Sequence, residues 1–76
     1  MREQIVELMA SVFGVDSSEI AKGVVYGKFS EWDSLRHMTL VVALEEEFNA
    51  TFDDEEITDM LSLDLIVDIL TSKKQS

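Results

Sequence analysis

The chain has 76 residues, of which 16 are acidic and six are basic, so its formal net charge is −10. This length fits one domain, residues 1–76, whose core is too small to enclose a large active site. The negative charge repels nucleic acid and anionic membrane surfaces and attracts basic patches, so we expect protein partners and neither nucleic acid nor a membrane.

The first predicted helix runs from about Arg2 to Phe13. Apolar residues recur through it at helical spacing, and Gly14 follows at a position where a left-handed residue often ends a helix. From position 15 to 33 the helical pattern decays because glycines and serines interrupt it, which predicts a long loop. We expect this loop to be packed by its own apolar side chains. These side chains are Val24, Val25, Tyr26 and Phe29.

The second predicted helix spans about Ser34–Phe48 and ends before Asn49. Four acids at positions 53–56 favour a helix start, which predicts a short third helix over residues 53–60. The fourth predicted helix begins after Ser62, which can cap it, and its apolar residues repeat at helical spacing. Those residues are Leu63, Ile66, Val67, Ile69 and Leu70.

Together these elements predict an all-α fold. It is a small four-helix bundle of three longer helices and one short third helix, with a long loop between helices one and two. Residues 72–76 form a predicted flexible tail. The first 13 residues are too polar for a secretory signal, and no stretch approaches the length of a membrane span, so we expect a cytoplasmic protein. We also expect it to be a monomer.

The second predicted helix has two apolar faces when its residues are placed at about 100° per step. One face is expected to be the core face, and it consists of Leu40, Val41, Leu44 and Phe48. Leu35, Met38 and Val42 form a second face, the apolar stripe, which Glu45 and Glu46 flank. Either the third helix or the loop covers this stripe, or it is a docking surface on which the acids steer basic partners and the flexible methionine adapts to them.

Three other features of this region have structural interpretations. His37, the only histidine, lies on the core face, so we expect it to be partly buried and hydrogen-bonded, and we expect Trp32 to be a packing residue. We reject a hydrolase triad of Asp33, Ser34 and His37, because near-adjacent residues do not easily form a line of hydrogen bonds. The acids at 53–56 lack the ligand spacing and glycine of a calcium loop, so we expect no metal site.

Ser34 is the main candidate functional residue. At a helix start, first-turn N–H groups and the positive end of the helix dipole would stabilise a phosphate ester on its hydroxyl. Most serines at this position instead cap the helix, so capping is the alternative interpretation. The chain has no cysteine, which excludes a disulfide framework and a cysteine-rich zinc site. Any thioester chemistry would therefore require a borrowed thiol.

The run Glu31-Trp32-Asp33-Ser34-Leu35, followed by Val42-Ala43-Leu44-Glu45-Glu46-Glu47-Phe48, resembles the attachment segment of acyl and peptidyl carrier proteins. The resemblance covers nearly the whole chain and implies the same four-helix architecture. It implies that Ser34 receives phosphopantetheine from coenzyme A, and that this arm supplies the missing thiol. It also makes Asp33 a candidate for recognition of the phosphopantetheinyl transferase or its metal.

The resemblance implies a discrete carrier that catalyses no reaction itself. It would hold acyl or aminoacyl groups as thioesters and present them to a loading enzyme and to a downstream synthase or transferase. Trp32 before Asp33 and Arg36-His37 after the serine resemble specialised carriers more than fatty-acid carriers, which predicts a dedicated pathway. Composition alone also allows an alternative, a small acidic helical adaptor that binds a basic helix or patch without a prosthetic group.

Overall fold

The computed structural model describes residues 1–75, and Ser76 lies outside the described residues. Five helices follow one another along this part of the chain, which confirms the predicted all-α fold. They are α1 (Arg2–Phe13), α2 (Ser17–Ala21), α3 (Ser34–Phe48), α4 (Asp54–Asp59) and α5 (Leu63–Gln75). The three longer helices and the short α4 are those expected from the sequence, while α2 lies in the predicted loop.

Helix α2 corrects the prediction of an uninterrupted loop. It packs against α1, its N-cap is Asp16, and its buried residue is Ile20, which is fully enclosed. One helical turn therefore places Ile20 in the core. The serines at positions 17 and 18 are among those that interrupt the helical pattern, but small polar residues that follow an aspartate also suit the first turn of a helix.

The ends of the helices follow from local sequence. Helix α1 ends at Gly14, which has the left-handed φ of 70° that the prediction required, and α3 ends at Asn49 with a φ of 51°. Helix α4 begins with a capping box, in which Asp53 and Glu56 each accept a hydrogen bond from the other's backbone N–H. Ser62 caps α5 as predicted, because its Oγ accepts from the Leu65 N–H at 3.2 Å.

The core lies between α1, α3 and α5 and extends to α2 and the residue after α4. The core face predicted for the second helix is confirmed, since all four of its residues are buried. Fully buried side chains elsewhere come from several elements; they are Ile5, Met9, Ile20, Met60, Leu63, Ile66 and Leu70. Helix α3 is therefore held firmly on one side only, which leaves its other side available to solvent.

Between α2 and α3 the loop is attached to the connection before α5. The Tyr26 N–H donates to the Leu61 carbonyl at 2.8 Å, the Leu63 N–H donates to the Val24 carbonyl at 3.2 Å, and Val25 pairs with this connection in an isolated β-bridge. Successive side chains of an extended segment alternate in direction. Val24 is accordingly buried and Tyr26 is half-buried, as is Phe29 further on, whereas the inward packing predicted for Val25 is wrong because it is 43% exposed.

At its C-terminal end α5 continues through residues 72–75, so this part of the expected flexible tail is helical, while position 76 of that tail lies outside the described residues. Lys73 lies in this turn, with its Nζ 2.8 Å from Glu56 Oε1 and 5.4 Å from the centre of the Phe52 ring. These contacts fasten the end of α5 to α4 and to the segment before it. None of the helices in residues 1–75 is long and apolar enough to cross a membrane.

Candidate functional site

Ser34 is the first residue of α3, and its side chain is exposed. The N-cap is Asp33, whose Oδ1 accepts a hydrogen bond from the Arg36 N–H at 2.8 Å. The interpretation of Ser34 as the cap is therefore wrong, because the residue before it performs that role. The start of α3 is therefore capped without the serine hydroxyl.

Tyr26 contacts the serine directly. Its hydroxyl oxygen lies 3.1 Å from Ser34 Oγ, and either hydroxyl can donate in this hydrogen bond. The sequence pattern predicts only loop packing for Tyr26 and does not indicate this contact. The two residues are eight positions apart, and the loop's path between them depends on backbone bonds to the segment before α5, so no local signal indicated the pairing.

Near the start of α3, hydrogen bonds link the side chains of Trp32 and His37 and the backbone carbonyl of Ile57. Trp32 Nε1–H donates to His37 Nδ1 at 3.0 Å, and His37 Nε2 lies 2.9 Å from the Ile57 carbonyl oxygen. An indole nitrogen only donates, so Nδ1 accepts, and the neutral imidazole carries its proton on Nε2 and donates it to Ile57. The expected burial and hydrogen bonding of His37 are confirmed, and both ring nitrogens are bonded to groups other than Ser34.

Aromatic rings surround these hydrogen bonds and support the start of α3. Tyr26 meets Trp32 edge-on at 5.9 Å between ring centres and meets His37 at 5.7 Å. Phe13 lies 5.4 Å from Trp32 and 5.7 Å from Phe29. The predicted packing role of Trp32 is confirmed, since only 3% of it is exposed. Tyr26, which contacts the serine, is thus itself packed against a cluster of aromatic rings.

The apolar stripe of α3 is open to solvent. Leu35 is 77% exposed, Met38 48% and Val42 50%, so neither α4 nor the loop covers them. The stripe lines a shallow open groove together with Thr39, Ala43 and Glu46. Exposed apolar side chains in a row on one helix are typical of a binding surface, and this one begins at the residue after Ser34.

The two glutamates beside the stripe differ in their surroundings. Glu46 is exposed, as a steering charge should be, and it borders the groove. Glu45 is only partly exposed, and its Oε2 accepts a hydrogen bond from the Phe52 N–H at 3.0 Å. Glu45 therefore holds the chain segment that follows α3, which is a structural role that the sequence did not indicate.

Metal-binding clusters are absent from the described part of the chain, where no three acidic or histidine side chains are placed to hold an ion. The acids at the start of α4 are instead used in the capping box and in the contact with α5. The pKa of the Glu56 carboxyl is lowered. The larger cause is the hydrogen bond from Lys73, and the smaller is the bond from the Asp53 N–H.

Comparison with known proteins places this site in context. No protein-family model matches the chain. Polyketide-8 synthase acyl carrier protein 2 of Streptomyces avermitilis is 32% identical over 72 residues, which cover 95% of this chain and 83% of the relative. An acyl carrier protein of Guillardia theta is 30% identical over 71 residues, covering 93% of this chain and 88% of the relative. An acyl carrier protein of Petrotoga mobilis is 28% identical over 71 residues, covering 93% and 84%.

The fold is small and all-α, and an exposed serine begins its longest helix, as expected for a small carrier protein. The relatives identify the family. The chain belongs to the acyl carrier protein family. The resemblance stated from the segment around Ser34 is therefore confirmed for the chain as a whole, and the role of the protein is that of a carrier.

Proposed function

We propose that Ser34 carries a phosphopantetheine arm and that the protein holds acyl or aminoacyl groups as thioesters on its terminal thiol. The observation that supports this most directly is the division of roles at the start of α3. Asp33 caps the helix, so the exposed Ser34 hydroxyl can be modified without loss of the cap. The domain then catalyses nothing itself and acts by tethering, which raises the effective concentration of the cargo at each partner's active site.

The attachment reaction has simple requirements. Ser34 Oγ attacks the β-phosphorus of coenzyme A, the new Oγ–P bond forms, and the P–O bond to adenosine 3′,5′-diphosphate breaks as that group leaves. The serine proton passes to a base of the transferase. The resulting phosphodiester would lie beside the first-turn N–H groups and the positive end of the α3 dipole, which favour a negative group there.

Asp33 is the second residue proposed to act in modification. Its Oδ1 serves as the cap, but a carboxylate has two oxygens and accepts several contacts, so an exposed Asp33 can also meet the transferase or its metal ion. This role belongs to the complex with the transferase. The cap and the recognition role make different demands on the side chain, since an amide serves as a cap but is a poorer partner for a metal ion.

We further propose that the apolar stripe docks partner enzymes and that Glu46 steers their basic patches towards it. The stripe starts next to Ser34, so an enzyme seated on it has its active site within reach of the arm. The proposed partners are the phosphopantetheinyl transferase, an acyl- or aminoacyl-loading enzyme and a downstream synthase or transferase. Charge complementarity of this kind acts chiefly on the rate of encounter.

The pathway is proposed to be a dedicated one and not bulk fatty-acid synthesis. Arg36 is exposed in the first turn of α3, where its Nη1 donates to the Glu31 carbonyl at 3.3 Å, so a positive charge stands beside the proposed dock. A basic docking site meets like charge there, which slows encounter. Loading of the modified protein with malonyl groups by a fatty-acid transacylase should be slow and should improve in Arg36→Asp. Fast loading that the substitution does not improve would contradict this part of the proposal.

The lack of cysteine provides a sharp test of the arm, because a thiol-specific reagent cannot react with the unmodified chain. After incubation with coenzyme A and a broad-specificity transferase, followed by removal of small molecules, we expect one reactive thiol per chain. No thiol after this treatment would contradict the proposal. It would favour the acidic adaptor, whose action needs no prosthetic group.

A further inference from the structure

Tyr26 is the side chain that touches the hydroxyl of Ser34, and three contacts hold it in place. Its backbone N–H donates to the Leu61 carbonyl at 2.8 Å, and its ring packs edge-on against Trp32 and His37. The ring is half-buried, while its hydroxyl reaches the exposed serine at 3.1 Å. A polar atom held this firmly beside a reacting hydroxyl has the geometry of a positioning group.

We propose that Tyr26 is a positioning residue that selects the reactive rotamer of Ser34 during attachment of the arm. This inference rests on the proposed function of Ser34. An exposed serine side chain samples three staggered rotamers, and a hydrogen bond to a fixed partner favours the one that it requires. Fewer orientations then have to be sampled when coenzyme A is brought to the serine by the transferase.

Attachment also fixes the direction of this hydrogen bond. In the unmodified protein either hydroxyl can donate. After Ser34 Oγ becomes an ester oxygen it has no proton, so Tyr26 can only donate, either to Oγ or to a phosphate oxygen next to it. The same tyrosine that orients the serine before reaction therefore restrains the base of the arm after it.

The first test compares the rates of attachment. Tyr26→Phe removes the hydroxyl and keeps the ring that packs on Trp32 and His37. Because one hydrogen bond is lost, kcat for attachment should fall about two- to tenfold while KM for the carrier stays unchanged. Thr58→Val removes a hydroxyl that bonds within α4, away from the site, and should leave kcat at the wild-type value. Melting temperatures confirm that both variants fold.

The outcomes of this test separate two failures. A Tyr26→Phe protein that is modified with the wild-type kcat overturns the positioning role while the proposed function of Ser34 stands. A wild-type protein that is not modified at all overturns the proposed function itself. A rise in KM with kcat unchanged also contradicts the inference, because it indicates a contact with the transferase and not an effect on the serine.

The second test needs no transferase. Tyr26 is the only tyrosine, so biosynthetic incorporation of 3-fluorotyrosine places one ¹⁹F nucleus beside its hydroxyl. Loss of the hydrogen bond in Ser34→Ala should shift the ¹⁹F resonance, whereas Ser30→Ala, which removes an exposed hydroxyl bonded to Glu31, should not. A resonance that stays in place in Ser34→Ala overturns the inference whatever the fate of the modification.

Discussion

Asp33 and Ser34 are neighbours with different hydrogen bonds. The aspartate bonds the backbone of the first turn of α3, whereas the serine hydroxyl bonds the side chain of Tyr26. Modification of the serine would therefore leave the helix cap intact. This separation would allow the proposed chemistry at Ser34 without loss of the structure of the helix start.

Substitutions of Asp33 test this separation. Asp33→Ala removes the cap and should lower the free energy of unfolding by about 0.5–2 kcal/mol, measured by denaturant titration. Asp33→Asn keeps a capping side chain, so its stability should be close to that of the wild type. Its attachment rate should nevertheless fall if the carboxylate meets the transferase or its metal. An Asn variant with the wild-type attachment rate would limit Asp33 to the cap.

At the residue scale, the sequence predicted those properties that depend on a residue and its close neighbours. The buried face of α3 and the burial of His37 follow from position on one helix, whereas the sequence left open whether the apolar stripe is covered. The pairings of Tyr26 with Ser34 and of His37 with Ile57 join segments that are distant in sequence or lie on either side of a loop. Periodicity carries no information about such pairs, so only the folded chain reveals them.

Helix α3 has a buried face and an exposed apolar stripe. A substitution on the buried face should lower stability, whereas one on the stripe should affect partner binding. Leu44→Ala on the buried face should cost about 2–5 kcal/mol of stability. Met38→Ala on the stripe should leave the melting temperature nearly unchanged and should slow modification or loading. A large loss of stability in Met38→Ala, measured by a melting curve, would refute the assignment of the stripe as a docking surface.

The charges beside the stripe allow a second experiment on the same helix. Glu46→Lys reverses an exposed charge, so association with a basic partner should slow at low salt, and the difference from wild type should shrink as salt increases. Glu45→Ala serves as the control for structure, because it removes the side-chain oxygen that accepts from the Phe52 N–H. It should lower the free energy of unfolding, and its association rate should fall less than that of Glu46→Lys. A rate for Glu46→Lys equal to that of the wild type at low salt would contradict steering.

The link between α4 and α5 makes stability depend on pH. Contacts with Lys73 and the Asp53 N–H lower the pKa of Glu56 from its usual 4.5, so its carboxylate stabilises the folded state above that pH. The contribution is lost as the pH falls through the lowered pKa. Wild type should therefore be more stable than Glu56→Gln at neutral pH, and the gap should narrow below about pH 4.5. A gap that stays constant on acidification would contradict this account.

At the element scale, helix boundaries were the most predictable feature. Helices α1 and α3 begin and end as predicted, because apolar periodicity and left-handed end residues are local signals. Helix α2 was missed because five residues are too few to show a period, and its formation depends on burying Ile20 against α1. The last turn of α5 carries the contacts of Lys73 with Glu56 and Phe52, which join distant segments and which the sequence therefore did not indicate.

At the scale of the whole molecule, the charge, the fold and the proposed site all fit a carrier that meets basic partner proteins. A net charge of −10 favours basic partners, and the proposed attachment serine and the apolar stripe lie on the same helix. The opposite face of that helix is buried in the core, so the helix that carries the proposed docking surface is held firmly. A carrier needs such a surface because its cargo must reach several enzymes through one attachment point.

The measurement that tests the central proposal most directly is the intact mass of three proteins after incubation with coenzyme A and a transferase. They are the wild type, Ser34→Ala and the control Ser30→Ala. Ser30 is an exposed serine four residues before the proposed site. The account predicts one phosphopantetheinyl group on the wild type and on Ser30→Ala, and none on a folded Ser34→Ala. A modified Ser34→Ala, or an unmodified wild type, would contradict it.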